Sequence, residues 1–236
     1  MTILLAIESS GDACSVALSR EGQVTEKTSL DKRRHNELIL PMIDALLVDA
    51  SVDLSEVDAF AFSCGPGSFT GIRIAASVVQ GLALGVAKPV LPISSLACLA
   101  QAAYRQYALK QVVSVVDARM NEIYWGAYSI DDKEMMSLVR GKEIVCLPEN
   151  APILSAENYV YGELIPGVGS GSCYASQLEV VNPCMNKWYP DCVAMAGDVL
   201  LLAEKYYAEG KAVDADQAIP VYLRESINWK KLPGRG

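Results

Sequence analysis

Three glycines, one proline and a Ser-Phe-Thr triplet stand together in the stretch GPGSFTGIR, residues 65–73. The preceding residues, DAFAFSC, have the composition of a buried strand, and the following residues, IAASVVQGLALG (74–85), that of a helix. A glycine-rich loop between a strand and a helix is typical of phosphate binding, because its backbone amides can surround an anion. The same glycines would also let two backbones approach closely, so both interpretations are open at this point.

A second candidate for anion binding follows the first apolar strand, which ends at Glu8. The small residues of this turn would allow backbone amides to approach a phosphate group. The candidate nucleotide-binding residues of this first hairpin are Glu8, Ser9, Ser10, Gly11 and Asp12.

Histidine chemistry is limited because the chain contains one histidine, His35. Paired-histidine metal motifs are therefore impossible, and a Ser-His-Asp triad would have to use His35, which has no G-x-S-x-G sequence nearby. The seven cysteines are scattered without a C-x-x-C pair, which favours reduced, buried thiols over zinc ligands or disulfides. We predict no catalytic residue and no metal site, and we interpret His35 as a helix-start or interface residue.

The composition indicates a folded, acidic protein. The 236 residues are 51% hydrophobic and carry a formal net charge of −8. Nucleic-acid binding by this chain alone is disfavoured, because phosphate contacts need clustered Lys and Arg. The N-terminus lacks the basic flank of a secretory signal, and the longest apolar stretch, residues 74–87, is short for a bilayer span and is interrupted by Gln80. We therefore expect a cytoplasmic protein that binds no membrane.

The order of predicted elements indicates a duplicated fold. Three strands, a helix over residues 35–50, and then two strand-helix pairs follow one another in the first half. A second apolar strand ending in Asp117 begins a similar series, 109 positions after Glu8. We interpret the chain as α/β, with two β-β-β-α-β-α halves of the actin, hexokinase and Hsp70 class. The predicted units are residues 1–108, residues 109–212, and a tail of residues 213–236 that packs back on the first half.

The second half is predicted in less detail than the first. A third strand is expected over residues 133–140, and a helix over residues 191–210 that ends at Gly210.

Actin-like proteins hold ATP phosphates between two hairpins, one from each half. Here the second hairpin, Asp117-Ala118-Arg119-Met120-Asn121, has bulky side chains and no glycine that would let its backbone close on a phosphate. This asymmetry argues against a working ATPase or kinase and leaves open weak ATP or ADP binding. In the alternative interpretation, the carboxylates of Glu8 and Asp117 cap amides of their own hairpins.

The helix after the glycine loop is apolar on nearly every side. A helix that covers a sheet normally shows one side to water, so a helix of this composition should be buried all round. Ser77, Gly81 and Gly85 recur every four residues and form a smooth stripe along which another helix could approach. We interpret the outer face as the site of a partner chain; the alternative is that the rest of this chain covers it.

Several motifs, in order along the chain, resemble the TsaB family, also called YeaZ. The combination of GPGSFTGIR with DAR-x-x-E-x-Y is highly specific, and the resemblance extends from residue 3 to about residue 231. It implies the actin-like duplicated fold. The motifs are the IESS strand end, HNELILP, GPGSFTGIRI, DARMNEIYWG, a VGSG turn and PVYLR.

The resemblance implies a non-catalytic subunit in the formation of N6-threonylcarbamoyladenosine, the modified base beside the anticodon of tRNAs that read codons starting with A. In that pathway a synthase makes threonylcarbamoyl-AMP, and the related subunit TsaD holds a metal through paired histidines and transfers the group to tRNA. The resemblance implies that this chain pairs with a TsaD-like subunit, that a TsaE-like ATPase joins them, and that tRNA is contacted only through the complex. It further implies a homodimer when the chain is alone, and no required cofactor.

In the TsaB family the dimer surface lies on the helices that correspond to residues 35–49 and 70–86. The glycine loop is then a tight strand-to-helix turn that seats an interface helix. Two alternatives stay open: an ATP-dependent enzyme that uses the first hairpin, and a peptidase with His35 as its base. The interface residues that the resemblance implies are His35, Leu38, Met42, Phe69, Thr70, Arg73, Ile74, Ser77, Gly81 and Gly85.

Overall fold

Two mixed β-sheets, one from each half of the chain, organise the fold. The computed structural model describes residues 2–20, 22–31, 34–139, 141–154 and 164–224, so residues 225–236 of the expected tail lie outside the described residues. The first half consists of β1 (Ile3–Glu8), β2 (Cys14–Arg20), β3 (Gln23–Ser29), α1 (His35–Ala50), β4 (Ala59–Gly65), α2 (Phe69–Val86), β5 (Val90–Ser94) and α3 (Ser95–Tyr107). The second half consists of β6 (Gln111–Arg119), β7 (Glu122–Ile130), β8 (Met136–Leu138), β9 (Ile144–Cys146), β10 (Gly167–Val168), α4 (Ala175–Val181), β11 (Trp188–Tyr189) and α5 (Ala196–Ala208).

The strand orders of the two sheets confirm the duplication. The first sheet has the order β3-β2-β1-β4-β5 and the second β8-β7-β6-β10-β11, with β9 also paired to β7. Leu4 of β1 pairs in parallel with Ala59, and Val113 of β6, which lies 109 positions later, pairs in parallel with Gly167. The fold is therefore the duplicated actin-like α/β fold. The second half departs at one point, where β9 and a short 3₁₀ turn stand among the described residues in place of a counterpart of α1.

Helices cover both faces of the first sheet. Alternate residues of β1 point to opposite sides, as in any strand: Leu5 and Ile7 pack with residues of α1 and α2, whereas Leu4 and Ala6 pack with residues of α3 and α5. The layer of α3 and α5 also contacts the second sheet, whose far side packs against Leu178 of α4. The interface helix predicted from the sequence thus lies in the outermost layer.

Two helices begin five residues away from the predicted position, in both cases because of a polar cap. α2 begins at Phe69, five residues before the predicted helix, because the Ser68 hydroxyl accepts a hydrogen bond from the Gly71 amide. α5 begins at Ala196, five residues after the predicted start, with the Asp198 carboxylate accepting from the Met195 amide at 2.9 Å.

The longer α2 changes one conclusion drawn from its apolar stretch. With 18 residues and a mean hydropathy of 1.5, α2 is the one helix in the described part of the chain whose length and composition suit a membrane span. The prediction that this stretch is too short was therefore wrong on length, because it omitted the turn that begins at Phe69. One side of α2 packs on the first sheet and is fully buried at Ala75, Val79 and Ala83.

Candidate functional site

The glycine loop brings two backbones together. A Cβ atom on Gly71 would lie 1.9 Å from the carbonyl oxygen of Ser9, so only glycine fits where α2 meets the first hairpin. The Ser9 hydroxyl donates to the Gly71 carbonyl at 2.9 Å, and the Ser68 amide donates to the Ser10 carbonyl at 2.8 Å. The first turn of α2 therefore packs directly against the hairpin backbone.

The side chains of Glu8 and Ser9 in the first hairpin are turned inward. Glu8 is 1% exposed, and one of its carboxylate oxygens accepts both the amide and the hydroxyl of Ser10, each at 2.6 Å. Burial raises the pKa of the Glu8 carboxyl above its ordinary value. Ser9 is also buried, whereas Gly11 and Asp12 are exposed. This geometry agrees with the interpretation of Glu8 as a cap within its own hairpin.

The second hairpin is closed by its own side chains and by an arginine from the end of the described chain. The Asp117 carboxylate accepts from the Arg119 amide at 2.8 Å, the second local carboxylate cap. Arg224 donates to the Ala118 carbonyl at 3.2 Å and forms an ion pair with Glu122. The arginine thus lies against the turn that would have to close on a phosphate.

Residues 219–224, which we call the strap, contact both the glycine loop and the second hairpin. The Val221 amide donates to the Cys64 carbonyl at 2.8 Å. The next residue, Gly65, has a φ of +117°, and a Cβ there would lie 2.7 Å from the Val221 carbonyl oxygen. The Tyr222 hydroxyl accepts from Nε of Arg73 at 2.7 Å. Sequence reasoning quoted PVYLR as a motif but gave the strap no role in the site.

The outer face of α2 is exposed. Ser77, Gly81 and Gly85 face outward, and no described atom lies within 4 Å of a Cβ built on either glycine. Phe69 and Leu84 are 55% and 66% exposed. The described residues do not cover this face, so they do not support the alternative that the rest of the chain buries it. The face that the sequence analysis assigned to a partner chain is thus left open by the described residues, and its burial by a partner stays a prediction.

The remaining candidate interface residues differ in exposure. On α2, Thr70 and Arg73 are exposed and Ile74 is half-buried. On α1, Leu38 and Met42 are half-buried. His35, the first residue of α1, is 8% exposed, so it contributes little to the surface.

Metal ligands are not clustered in the described part of the chain, where no group of three or more His, Cys, Asp or Glu side chains could hold an ion. All seven cysteines are free. Nε2 of His35 is buried and has no hydrogen-bond partner among the described residues.

Comparisons with known proteins agree on one family. The family model described as TsaD, tRNA N6-adenosine threonylcarbamoyltransferase, matches residues 24–146. The chain is 39% identical to the tRNA threonylcarbamoyladenosine biosynthesis protein TsaB of Haemophilus influenzae, covering 98% of both chains. It is 36% identical to the Escherichia coli protein of the same name, covering 98% of this chain and 99% of that one. The solved structure of YeaZ from Pseudomonas aeruginosa superposes with a TM-score of 0.85 at 41% identity, covering 94% of this chain and 100% of that chain.

Proposed function

The chain belongs to the TsaB family and has a role in tRNA threonylcarbamoyladenosine formation, and we propose that it acts there as a non-catalytic subunit that binds a TsaD-like transferase through α2. The observation that carries the proposal is the exposed outer face of α2. Exposed apolar surface of this kind is characteristic of protein interfaces. The small-residue stripe would let a partner helix approach closely.

The proposal includes further partners and a location. A TsaE-like ATPase joins the pair in the cytoplasm, and tRNA is bound through the complex, consistent with the net charge of −8. Without its partner the chain forms a homodimer through the same face, because the free energy falls when a second copy covers an exposed apolar surface. The face meets protein and not lipid, since Arg73 and Gln80 interrupt it.

Two observations support the proposal that this chain performs no catalysis and needs no nucleotide. The first hairpin is packed against Gly71, and its Ser10 amide is already bonded to Glu8. The strap is bonded to the Cys64 carbonyl just before the glycine loop, and its Arg224 is bonded to the Ala118 carbonyl of the second hairpin. If the pure chain did hydrolyse ATP, and Glu8→Ala abolished that activity, an ATP-dependent enzyme of actin-like fold would replace this proposal.

The peptidase alternative receives no support from the described residues. A triad histidine must accept a proton from its nucleophile through a hydrogen bond. Nε2 of His35 has no such partner within the described part of the chain, and the side chain is almost fully buried.

The proposal is tested by Gly81→Arg, which places a long charged side chain in the middle of the exposed stripe. Binding of the TsaD-like protein of the same organism is measured by calorimetry, and we expect affinity to fall by at least about 100-fold, as when a buried interface meets an unpaired charge. The matched control is Val180→Arg, because Val180 is 81% exposed on α4, which belongs to the other half. Wild-type affinity in Gly81→Arg would contradict the proposed docking face.

A further inference from the structure

Arg73 stands at the head of the small-residue stripe and is held in one orientation. It precedes Ser77, Gly81 and Gly85 at the same four-residue spacing and is exposed like them. Its guanidinium carbon lies 3.6 Å from the centre of the Phe69 ring, within the range of a cation–π contact. Its Nε donates to the Tyr222 hydroxyl at 2.7 Å.

The strap fixes the position of the Tyr222 hydroxyl from both sides. Before Tyr222, the Val221 amide is bonded to the carbonyl of Cys64 at the end of β4. After it, Arg224 is bonded to the Ala118 carbonyl and paired with Glu122 in the second hairpin. The orientation of Arg73 in the first half is thereby linked to a turn in the second half.

The guanidinium of Arg73 has no anionic partner among the residues that the structure describes. None of the ion pairs within the described residues includes it, and its one hydrogen bond uses Nε. The N–H groups of the two terminal nitrogens are therefore not used by the described residues, and their planar arrangement fits a carboxylate. A partner that covers this face would remove an unpaired charge from water, which is strongly unfavourable unless the partner supplies an anion.

We propose that Arg73 is the specificity-determining anchor of the docking surface and binds an Asp or Glu carboxylate of the TsaD-like partner. Tyr222 is its positioning residue, which aims the terminal nitrogens outward by holding Nε. This inference rests on the docking proposed above and adds the chemistry of the recognised group. A preorganised arginine of this kind is typical of the few residues that dominate an interface.

The test compares binding of the TsaD-like protein, by calorimetry, to the wild type and to Arg73→Gln, Arg73→Lys and Tyr222→Phe. We expect Arg73→Gln to weaken affinity roughly 10- to 100-fold, since it removes a charge-assisted hydrogen-bonded pair. Arg73→Lys keeps the charge but loses the fork, so it should recover only part of that loss. Tyr222→Phe should cost about three- to tenfold. The control, Arg119→Gln, alters an exposed arginine of the second hairpin and should bind like the wild type.

Two measurements separate positioning and charge from general damage to the surface. In the Arg73→Gln background, Tyr222→Phe should have no further effect, because Tyr222 acts through Arg73. The difference between wild type and Arg73→Gln should shrink as NaCl is raised, because salt screens the charge pair.

Each outcome separates this inference from the proposed function. Failure of the wild type to bind the partner would overturn the docking itself. If the wild type binds the partner but Arg73→Gln binds it equally well, the inference is wrong and the docking stands. The same conclusion follows if Tyr222→Phe weakens binding as much in the Arg73→Gln background as it does in the wild type. If Arg73→Gln impairs only self-association, measured by sedimentation, the anchor serves a second copy and the assignment to the TsaD-like partner is wrong.

Discussion

Replacing Gly71 with alanine should destabilise the protein substantially, although alanine is normally the better helix former. The added Cβ would lie 1.9 Å from the Ser9 carbonyl oxygen and 3.0 Å from the Ser9 carbonyl carbon. Carbon and oxygen in ordinary contact are more than an ångström farther apart than the first distance, so backbone must move. Overpacking of this kind costs about 1–3 kcal/mol. Movement would also weaken the hydrogen bonds of Ser9 and Ser68 across the same contact, each worth about 1 kcal/mol.

The matched control is Gly81→Ala in the same helix. No described atom lies within 4 Å of a Cβ at Gly81, so alanine adds no clash there. Its higher helix propensity should stabilise the protein by about 0.5–1 kcal/mol. The same substitution, ten positions apart, should therefore change stability in opposite directions.

Urea unfolding followed by circular dichroism measures both effects as changes in the free energy of unfolding. We expect Gly71→Ala to lose about 2–4 kcal/mol with an unchanged dependence on urea. If Gly71→Ala is as stable as the wild type, the glycine is not required for the contact between α2 and the first hairpin. A loss of equal size in Gly81→Ala would show that glycine is needed along the whole helix and would refute the explanation by close approach.

Two further predictions concern buried ionisable groups. Because burial raises the pKa of Glu8, the folded protein binds this proton more tightly than the unfolded chain, and stability should fall as pH rises from about 4.5 through the raised folded-state pKa. Glu8→Gln should therefore gain stability relative to the wild type as pH rises above about 4.5 in urea titrations; a pH-independent difference would contradict this. A thiol reagent at about pH 8 should modify exposed Cys173 well before Cys64 and Cys192, whose pKa values burial raises to about 12. Peptide mass spectrometry measures the order, and equal rates in the folded protein would contradict it.

The fold was predictable where one local pattern decides an element. α1 has the predicted bounds because Ile39, Ile43 and Leu46 give a buried stripe at helical spacing. The start of α5 was not predictable in the same way. Asp198, which accepts from the Met195 amide, also binds Arg105 through two hydrogen bonds of 2.8 and 2.9 Å. That partner lies 93 positions earlier, and no local window of sequence contains it.

The candidate site was predictable only in part for the same reason. The apolar, small-residue character of α2 is visible in its own sequence, as is the lack of glycine in the second hairpin. The contact of Gly71 with Ser9 and the bond between Arg73 and Tyr222 join residues 62 and 149 positions apart. A tyrosine and an arginine in PVYLR were the available signal, because polar side chains on a short irregular segment need partners elsewhere.

The exchange of helices between the sheets has a consequence for dividing this chain. α3, from the first half, packs on β6 and β7, and α5, from the second half, packs on β1 and β2. A cut at the proposed boundary between residues 108 and 109 would remove a covering helix from the sheet of each fragment. It would also leave each fragment with one helix that lacks the sheet on which it packs. Neither fragment should fold in isolation, but the two, produced together, should reassemble by complementation. The two similar halves thus form an interlocked pair and not two separable modules.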